Sequence, residues 1–247
     1  MALVNEFEKQ GNFLFRFRGQ LPILLFLLAV PFLYWTDTSS ISKYLKNFYS
    51  YCAVILSIIG FCIRAYTVGS TPKGTSGRNT KEQKAFVLNT TGIYSIVRHP
   101  LYLGNYFLWI GIVVFTFNPY FIVVVSLLYW IYYERIMYAE ERFLERKFGE
   151  EYLSWSRSIP AFIPNLKLYK PSIISFSLKT VLRREYSGVL ATVIGFVFVE
   201  VIRHYFSVGE WYISSSFIYL LLVVSVIVLL LRTLKHHTAL LSEDGRS

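Results

Sequence analysis

Apolar residues along this chain gather into six long runs, at about 20–36, 47–68, 100–117, 120–137, 186–206 and 211–233. Each approaches the roughly 20 residues that an α-helix needs to cross a hydrocarbon core at about 1.5 Å rise per residue. The runs predict six transmembrane helices. Asn118-Pro119 leaves room for only a tight turn between the third and fourth, so residues 100–137 read as a helical hairpin. The polar stretches carry pattern too. At the N-terminus, Phe13, Phe15 and Phe17 alternate with Arg16 and Arg18, which suits an interfacial segment in the headgroup region. The fourth run continues without a break into Y-E-R-I-M-Y-A-E-E-R-F-L-E-R-K-F-G-E-E-Y, where Glu134, Tyr138, Glu141 and Glu145 share one helical face. Glu140 lies about 100° around the helix from Glu141, which predicts different tasks for the two. Gly149 is a C-cap signal, and Glu150 opens a second amphipathic stretch that ends at Pro160. The expected fold is all-α: a polytopic membrane protein of about six transmembrane helices, with the 100–137 hairpin and cytoplasmic amphipathic helices.

Composition agrees. With 54% hydrophobic and 16% charged residues, the chain is too apolar for an ordinary soluble domain. A net charge of +10 could point to nucleic acid, but the basic residues lie between apolar runs and not in one block. A bilayer surface explains them and nucleic acid is set aside. Of 25 Lys and Arg, 22 fall in segments 1–20, 64–98, 134–185 and 232–247; only Lys43, Lys46 and Arg203 fall in the alternate loops. This asymmetry predicts that both termini are cytoplasmic. Cys52 and Cys62 are ten residues apart on one helix, too distant to pair. No cleavable signal peptide is evident, and no His/Cys spacing suggests a metal site. Glu200 is expected to pair with Arg203 one turn on.

Candidate chemistry concentrates where loop meets helix. Gly92 to Asn105 reads G-I-Y-S-I-V-R-H-P-L-Y-L-G-N. Pro100 is suited to a first helical position, so Arg98 and His99 sit at a helix N-terminus at the bilayer edge, followed by Tyr102, Gly104, Asn105 and Tyr106. A cationic pair, a helix N-terminus and a tyrosine face can hold an anionic or cofactor-like group; they could equally be a positive anchor for a membrane helix. The preceding loop 69–91 is Gly- and Ser-rich and basic, with Lys73, Arg78, Lys81 and Lys84. It reads as a solvated positive loop or as a lid that meets an anionic headgroup, and it lacks the P-loop pattern.

Taken together, T-G-I-Y-S-I-V-R-H-P-L-Y-L-G, about 35 further residues, and E-E-R-F-L-E-R-K-F-G-E-E-Y-L-S-W-S-R-S-I-P-A-F-I-P resemble the isoprenylcysteine carboxyl methyltransferase family. They also resemble the wider set of membrane methyltransferases that includes phospholipid methyltransferases. The shared pattern is G-x-Y-x-x-x-R-H-P-x-Y-x-G, a hairpin, E-E-x-x-L-x-x-x-F-G-x-x-Y and a closing P-x-x-x-P, here Pro160 to Pro164. The resemblance covers roughly residues 48–165 and leaves 166–247 without a counterpart. It divides the chain into an interfacial segment and first helix (1–46), a methyltransferase core with the cofactor site (47–165), and an interfacial segment with two additional helices (166–247).

The resemblance implies an S-adenosylmethionine-dependent integral membrane methyltransferase. By carry-over, Tyr94, Arg98, His99, Tyr102, Gly104, Glu140 and Glu141 are the cofactor residues. Arg98 and His99 suit the methionyl carboxylate, a Glu suits the ribose or amino group, and an aromatic face such as Tyr102 or Tyr106 suits the sulfonium. Gly104 would let a ligand approach the helix backbone. Arg98, Arg135 and Glu141 are expected at the reaction centre, and Lys73, Arg78, Asn105 and Tyr106 at the acceptor. The expected acceptor is a membrane lipid or lipidated substrate, probed from the cytoplasmic interface. O-methylation of an anionic group, a prenylcysteine carboxylate or a lipid phosphate, is the leading reading. Phospholipid N-methylation and thiol S-methylation are alternatives. An NADPH-dependent sterol-type reductase with a related R-x-x-H-P-x-Y-x-G motif and a non-enzymatic membrane protein are the rivals from other classes. Oligomeric state stays open.

Overall fold

The computed structural model describes residues 2–72, 74 and 83–246, and for Leu21 and Pro22 the backbone only. It contains α1 (Leu3–Phe17), α2 (Leu21–Trp35), α3 (Lys43–Gly69), α4 (Pro100–Val114), α5 (Pro119–Phe148), α6 (Glu150–Ser156), α7 (Leu178–Val208) and α8 (Ser215–His237). No extended strand occurs among the described residues. All six apolar runs are helical. Four helices, α3, α5, α7 and α8, are long and apolar enough to cross a membrane. The other two, α2 and α4, have 15 residues each, a length of only about 22 Å against the roughly 30 Å of a hydrocarbon core.

Caps set the boundaries as side-chain chemistry requires. The Ser42 and Asn118 side chains accept from the backbone N–H of Leu45 and Phe121 at 3.3 and 3.0 Å, opening α3 and α5. Pro100 and Pro119 occupy first-turn positions. Gly149, with φ +54°, ends α5 and starts α6; no residue with a Cβ adopts that conformation cheaply. The fourth run and its polar continuation are thus one 30-residue rod.

α4 lies at the centre, with ten of its 15 residues buried. It packs most extensively on α3, through a seam of small residues. A Cβ on Gly60 would come 2.7 Å from the Gly104 carbonyl oxygen, and one on Gly111 would come 2.6 Å from that of Ala53. Close backbone approach of this kind drives helix association in lipid, where the hydrophobic effect between helices is lost. The seam corrects the expectation for Gly104: the neighbour at that position is α3, with Arg64 Cγ 2.6 Å from a hypothetical Cβ, and not a ligand. Farther from the site, α2, α5 and α7 close a core around Leu33, Phe121, Val125 and Val199. There Arg203 pairs with Glu200, donates to the Phe115 carbonyl at 2.6 Å, and covers the Phe115 and Phe117 rings. Both cysteines are free thiols.

The N-terminal segment is a helix packed along the polar half of α5. A Cβ on Gly11 would overlap the Arg135 carbonyl, and Phe15 is buried while Phe13 and Phe17 are exposed. Helical geometry spreads the alternating aromatics around the axis, so only one of the three faces α5.

Candidate functional site

The chain enters α4 through a folded corner. Gly92, at φ +61°, turns the backbone into a single 3-10 turn over Ile93–Ser95. The Ser95 hydroxyl donates to the Gly92 carbonyl and accepts from the Lys170 N–H at 2.8 Å. Next, the Arg98 and His99 N–H groups donate to the carbonyls of Pro160 and Ala161, at 2.9 and 3.2 Å, and Asn165 N–H donates to Ile96 at 2.9 Å. The residue before a proline avoids the helical region; His99, at φ −120° and ψ 61°, lies outside it, and its N–H bonds sideways to another segment. The Pro160–Pro164 stretch is therefore the clamp that fixes the Arg-His corner.

Held there, the His99 imidazole is only 6% exposed and lies between two carboxylates. Its Nε2 is 2.8 Å from Glu141 Oε1 and its Nδ1 is 3.5 Å from Glu140 Oε2. Both Glu thus meet one ring, each at its own nitrogen. Their 100° separation on α5 is what lets one reach each nitrogen of the same ring. Burial alone would lower the His99 pKa, but hydrogen bonds and charges from Glu140 and Glu141 outweigh it and raise the pKa above its ordinary value. Arg98 supports the same carboxylate, with Nε 3.0 Å from Glu141 Oε1, and its Nη1 donates to the Ser156 carbonyl at 2.6 Å. The Tyr102 ring stacks on the imidazole, and its hydroxyl receives Arg18 Nη1 at 3.3 Å. Burial pushes the Tyr94 hydroxyl up, so it stays a neutral donor.

These groups form one wall of a cavity of about 840 Å³. Tyr94, Arg98, His99, Tyr102 and Glu140 lie on that wall. The lining also includes Arg64 and Asn105, with Arg183, Arg184 and Glu185 from α7 and Lys235 from α8. Arg64 is held by a bidentate pair with Glu185, Nε to Oε2 at 2.7 Å and Nη2 to Oε1 at 2.9 Å, and by Asn105 Oδ1. This fork ties α3, α4 and α7 together at the cavity.

The expected site residues separate into groups. Tyr94, Arg98, His99, Tyr102 and Glu140 converge on the cavity; Glu141 stands behind His99, off the lining. Asn105 reaches the cavity but faces Arg64. Gly104 belongs to the α3–α4 seam. Arg135 turns to α1, 2.9 Å from Glu134 and 3.5 Å above the Phe7 ring, which removes it from the reaction centre. Tyr106 bonds Ser126 at 3.0 Å and packs with Tyr129 and Phe162, outside the cavity lining. Lys73 and Arg78 lie outside the described residues. Sequence reasoning missed Arg18, Arg64, Glu185 and Lys235. One signal was present: Glu185 is an acid at the edge of an apolar run amid Arg and Lys, and acids in such places demand a partner.

In chemical terms the wall around His99 offers cations, a carboxylate acceptor and aromatic faces in one water-restricted space. Residues 48–151 match the phospholipid methyltransferase family. The chain is similar to the protein-S-isoprenylcysteine O-methyltransferase of Tribolium castaneum, 31% identical over 47% of this chain and 44% of the relative. The protein of that name from Rattus norvegicus is 29% identical over 55% and 46%. The nickel-cobalt-cadmium resistance protein NccN of Alcaligenes xylosoxydans xylosoxydans is 34% identical over 38% and 42%. The chain thus spans less than half the length of these relatives. No solved structure matches it.

Proposed function

We propose that this chain, whose residues 48–151 match the phospholipid methyltransferase family, moves a methyl group from S-adenosylmethionine to an anionic lipid acceptor. The acceptor is a prenylcysteine carboxylate or a lipid phosphate. The observation that carries the reading is the His99 imidazole clamped by Glu140 and Glu141 on the wall of an 840 Å³ cavity. A cavity of that size lies in the range of about 300–1,000 Å³ usual for cofactor sites. Its donor set suits the cofactor: Arg98 and Arg18 for a carboxylate, Glu140 for an amino group or ribose hydroxyls, Tyr94 and Tyr102 for a sulfonium cation. When bound, S-adenosylmethionine supplies an electrophilic methyl group.

The protein's own residues supply position and dryness. Glu141, Arg98 and the Pro160–Pro164 clamp fix His99, and His99 fixes Glu140. An ionised carboxylate or phosphate already carries its nucleophilic oxygen, so the chain needs no strong general base. Alignment of two bound partners can be worth about 7–11 kcal/mol. The relatives named protein-S-isoprenylcysteine O-methyltransferase support a carboxylate acceptor. The Lys and Arg distribution supports both termini, and the cavity with them, on the cytoplasmic side. Residues 47–165 then form the donor core, flanked by 1–46 and 166–247.

Calorimetric binding of S-adenosylhomocysteine to detergent-purified protein tests the class. Micromolar binding is the expected result. Binding of NADPH in its place would move the chain to the reductase reading, and binding of neither to a non-enzymatic one. A lipid extract supplied with labelled methyl donor tests the acceptor. Label on carboxylate or phosphate esters is expected, and label confined to amines or thiols would overturn the O-methyl assignment.

A further inference from the structure

The lining of the 840 Å³ cavity comes from two parts of the chain. The His99 wall lies inside the segment that matches the family; Arg183, Arg184, Glu185 and Lys235 lie outside it. A methyltransferase binds two partners. The donor is common to the reaction and the acceptor is what distinguishes one enzyme from another. Of the other cations in the lining, Arg64 is neutralised by its bidentate pair with Glu185. Arg183 instead donates to the Ser242 hydroxyl at 3.1 Å, and Lys235 lies 5.3 Å from the Tyr186 ring. Among the described residues neither meets a carboxylate within ion-pair distance. This part of the lining is therefore electropositive.

It also lies next to an exposed apolar helix. Lys235 is in the last turn of α8, a helix with one buried residue, Val228, and with Val226, Ile227, Leu229 and Leu230 exposed. α8, with this exposed apolar face, thus forms one edge of the cavity. Val68, Val87 and Leu88 add apolar lining to the same cavity.

We propose that Arg183 and Lys235 bind the anionic headgroup of the methyl acceptor, whose hydrocarbon chain stays along α8 in the bilayer. Residues 166–247 are then the acceptor-selecting part of the protein. The assignment rests on the methyl-transfer reading above and deepens it.

The test uses the full chain in detergent with four probes: N-acetyl-S-farnesylcysteine, farnesyl phosphate, farnesol and inorganic phosphate. Each is titrated against wild type, the Arg183→Ala/Lys235→Ala double variant and the charge-conserving Arg183→Lys/Lys235→Arg variant, with S-adenosylhomocysteine binding measured in parallel. One or both anionic farnesyl probes should bind at least about tenfold more tightly than farnesol, and the double alanine variant should lose about tenfold or more of that affinity. The charge-conserving variant should regain most of it. S-adenosylhomocysteine affinity should stay within about twofold, as expected for sites without shared partners. Equal binding of the anionic probes by wild type and the double alanine variant would overturn the proposal. Inorganic phosphate binding as tightly as farnesyl phosphate would overturn its lipid part. If wild type fails to bind S-adenosylhomocysteine while the double variant still loses farnesyl phosphate, the methyl-transfer reading falls and the headgroup wall stands.

Discussion

α4 and α8 are both strongly apolar helices, yet one is the most enclosed in the molecule and the other is nearly bare. Ten of 15 residues of α4 are buried, against Val228 alone in α8. What separates them is side-chain size, not hydropathy. α4 carries Gly104 and Gly111 on the face that meets Gly60, Ser57 and Ala53 of α3, so the two backbones touch. α8 presents an exposed surface made mostly of Leu, Val and Ile, suited to acyl chains. In a bilayer, apolarity places a helix in the membrane, and small residues decide which helices meet.

The largest effect should come from filling the α3–α4 seam. Gly60→Leu would drive a side chain into the Gly104 oxygen and the Leu108 nitrogen, both backbone atoms 2.7 Å from its Cβ. Overpacking of this severity costs about 3 kcal/mol or more, and thermal unfolding in detergent should show a collapse of the cooperative transition. Next come the groups at the buried end of α4. Glu141→Ala or His99→Ala strands a charged partner, at a cost of about 1–3 kcal/mol. Each should abolish calorimetric S-adenosylhomocysteine binding while the protein still inserts; normal binding by either variant would remove that residue from the cofactor site.

A smaller effect follows from pH. The His99 pKa is raised in the folded protein, so the stabilisation from its protonated form is complete below the unfolded value near 6.5 and is lost as pH rises through the raised value. The melting-temperature difference between wild type and His99→Gln should shrink steadily as pH rises from 6.5. The smallest effect belongs to α8. Leu229→Ala, at a residue 61% exposed, should shift stability by no more than about 0.5 kcal/mol. A larger loss would mean that α8 is covered by protein and not by lipid, and would erase the contrast with α4.

Much of this was written plainly in the sequence. The six apolar runs, the turn at Asn118-Pro119, the cap at Gly149 and the Glu200–Arg203 pair depend on neighbours in the chain, and periodicity and cap chemistry reveal those. Long-range meetings are harder to read. Nothing near Gly104 says that the neighbour of its missing side chain is α3. Nothing near Arg135 says that α1 will cover it with Phe7. Glu140 and Glu141 could be assigned to separate faces from helical geometry, but only the placement of His99 between those faces shows that both meet one ring. The Pro160–Pro164 clamp was visible as a motif, while its work, holding the Arg98 and His99 backbone, was not.

The Arg64–Glu185 fork has a consequence for how the protein is made. The two residues are 121 positions apart, and α3 enters the membrane long before α7 is synthesised. At roughly 5–20 residues per second, the ribosome needs on the order of ten seconds to bridge that interval. Through that time the Arg64 guanidinium lacks its carboxylate and, as a lone charge on an inserting helix, is held toward the aqueous interface. Arrival of Glu185 neutralises it and lets the end of α3 settle against α4 and α7. The cavity is thus closed by the last third of the nascent chain, and a product truncated before α7 would carry the whole Arg98-His99 and Glu140-Glu141 motif without a finished cavity.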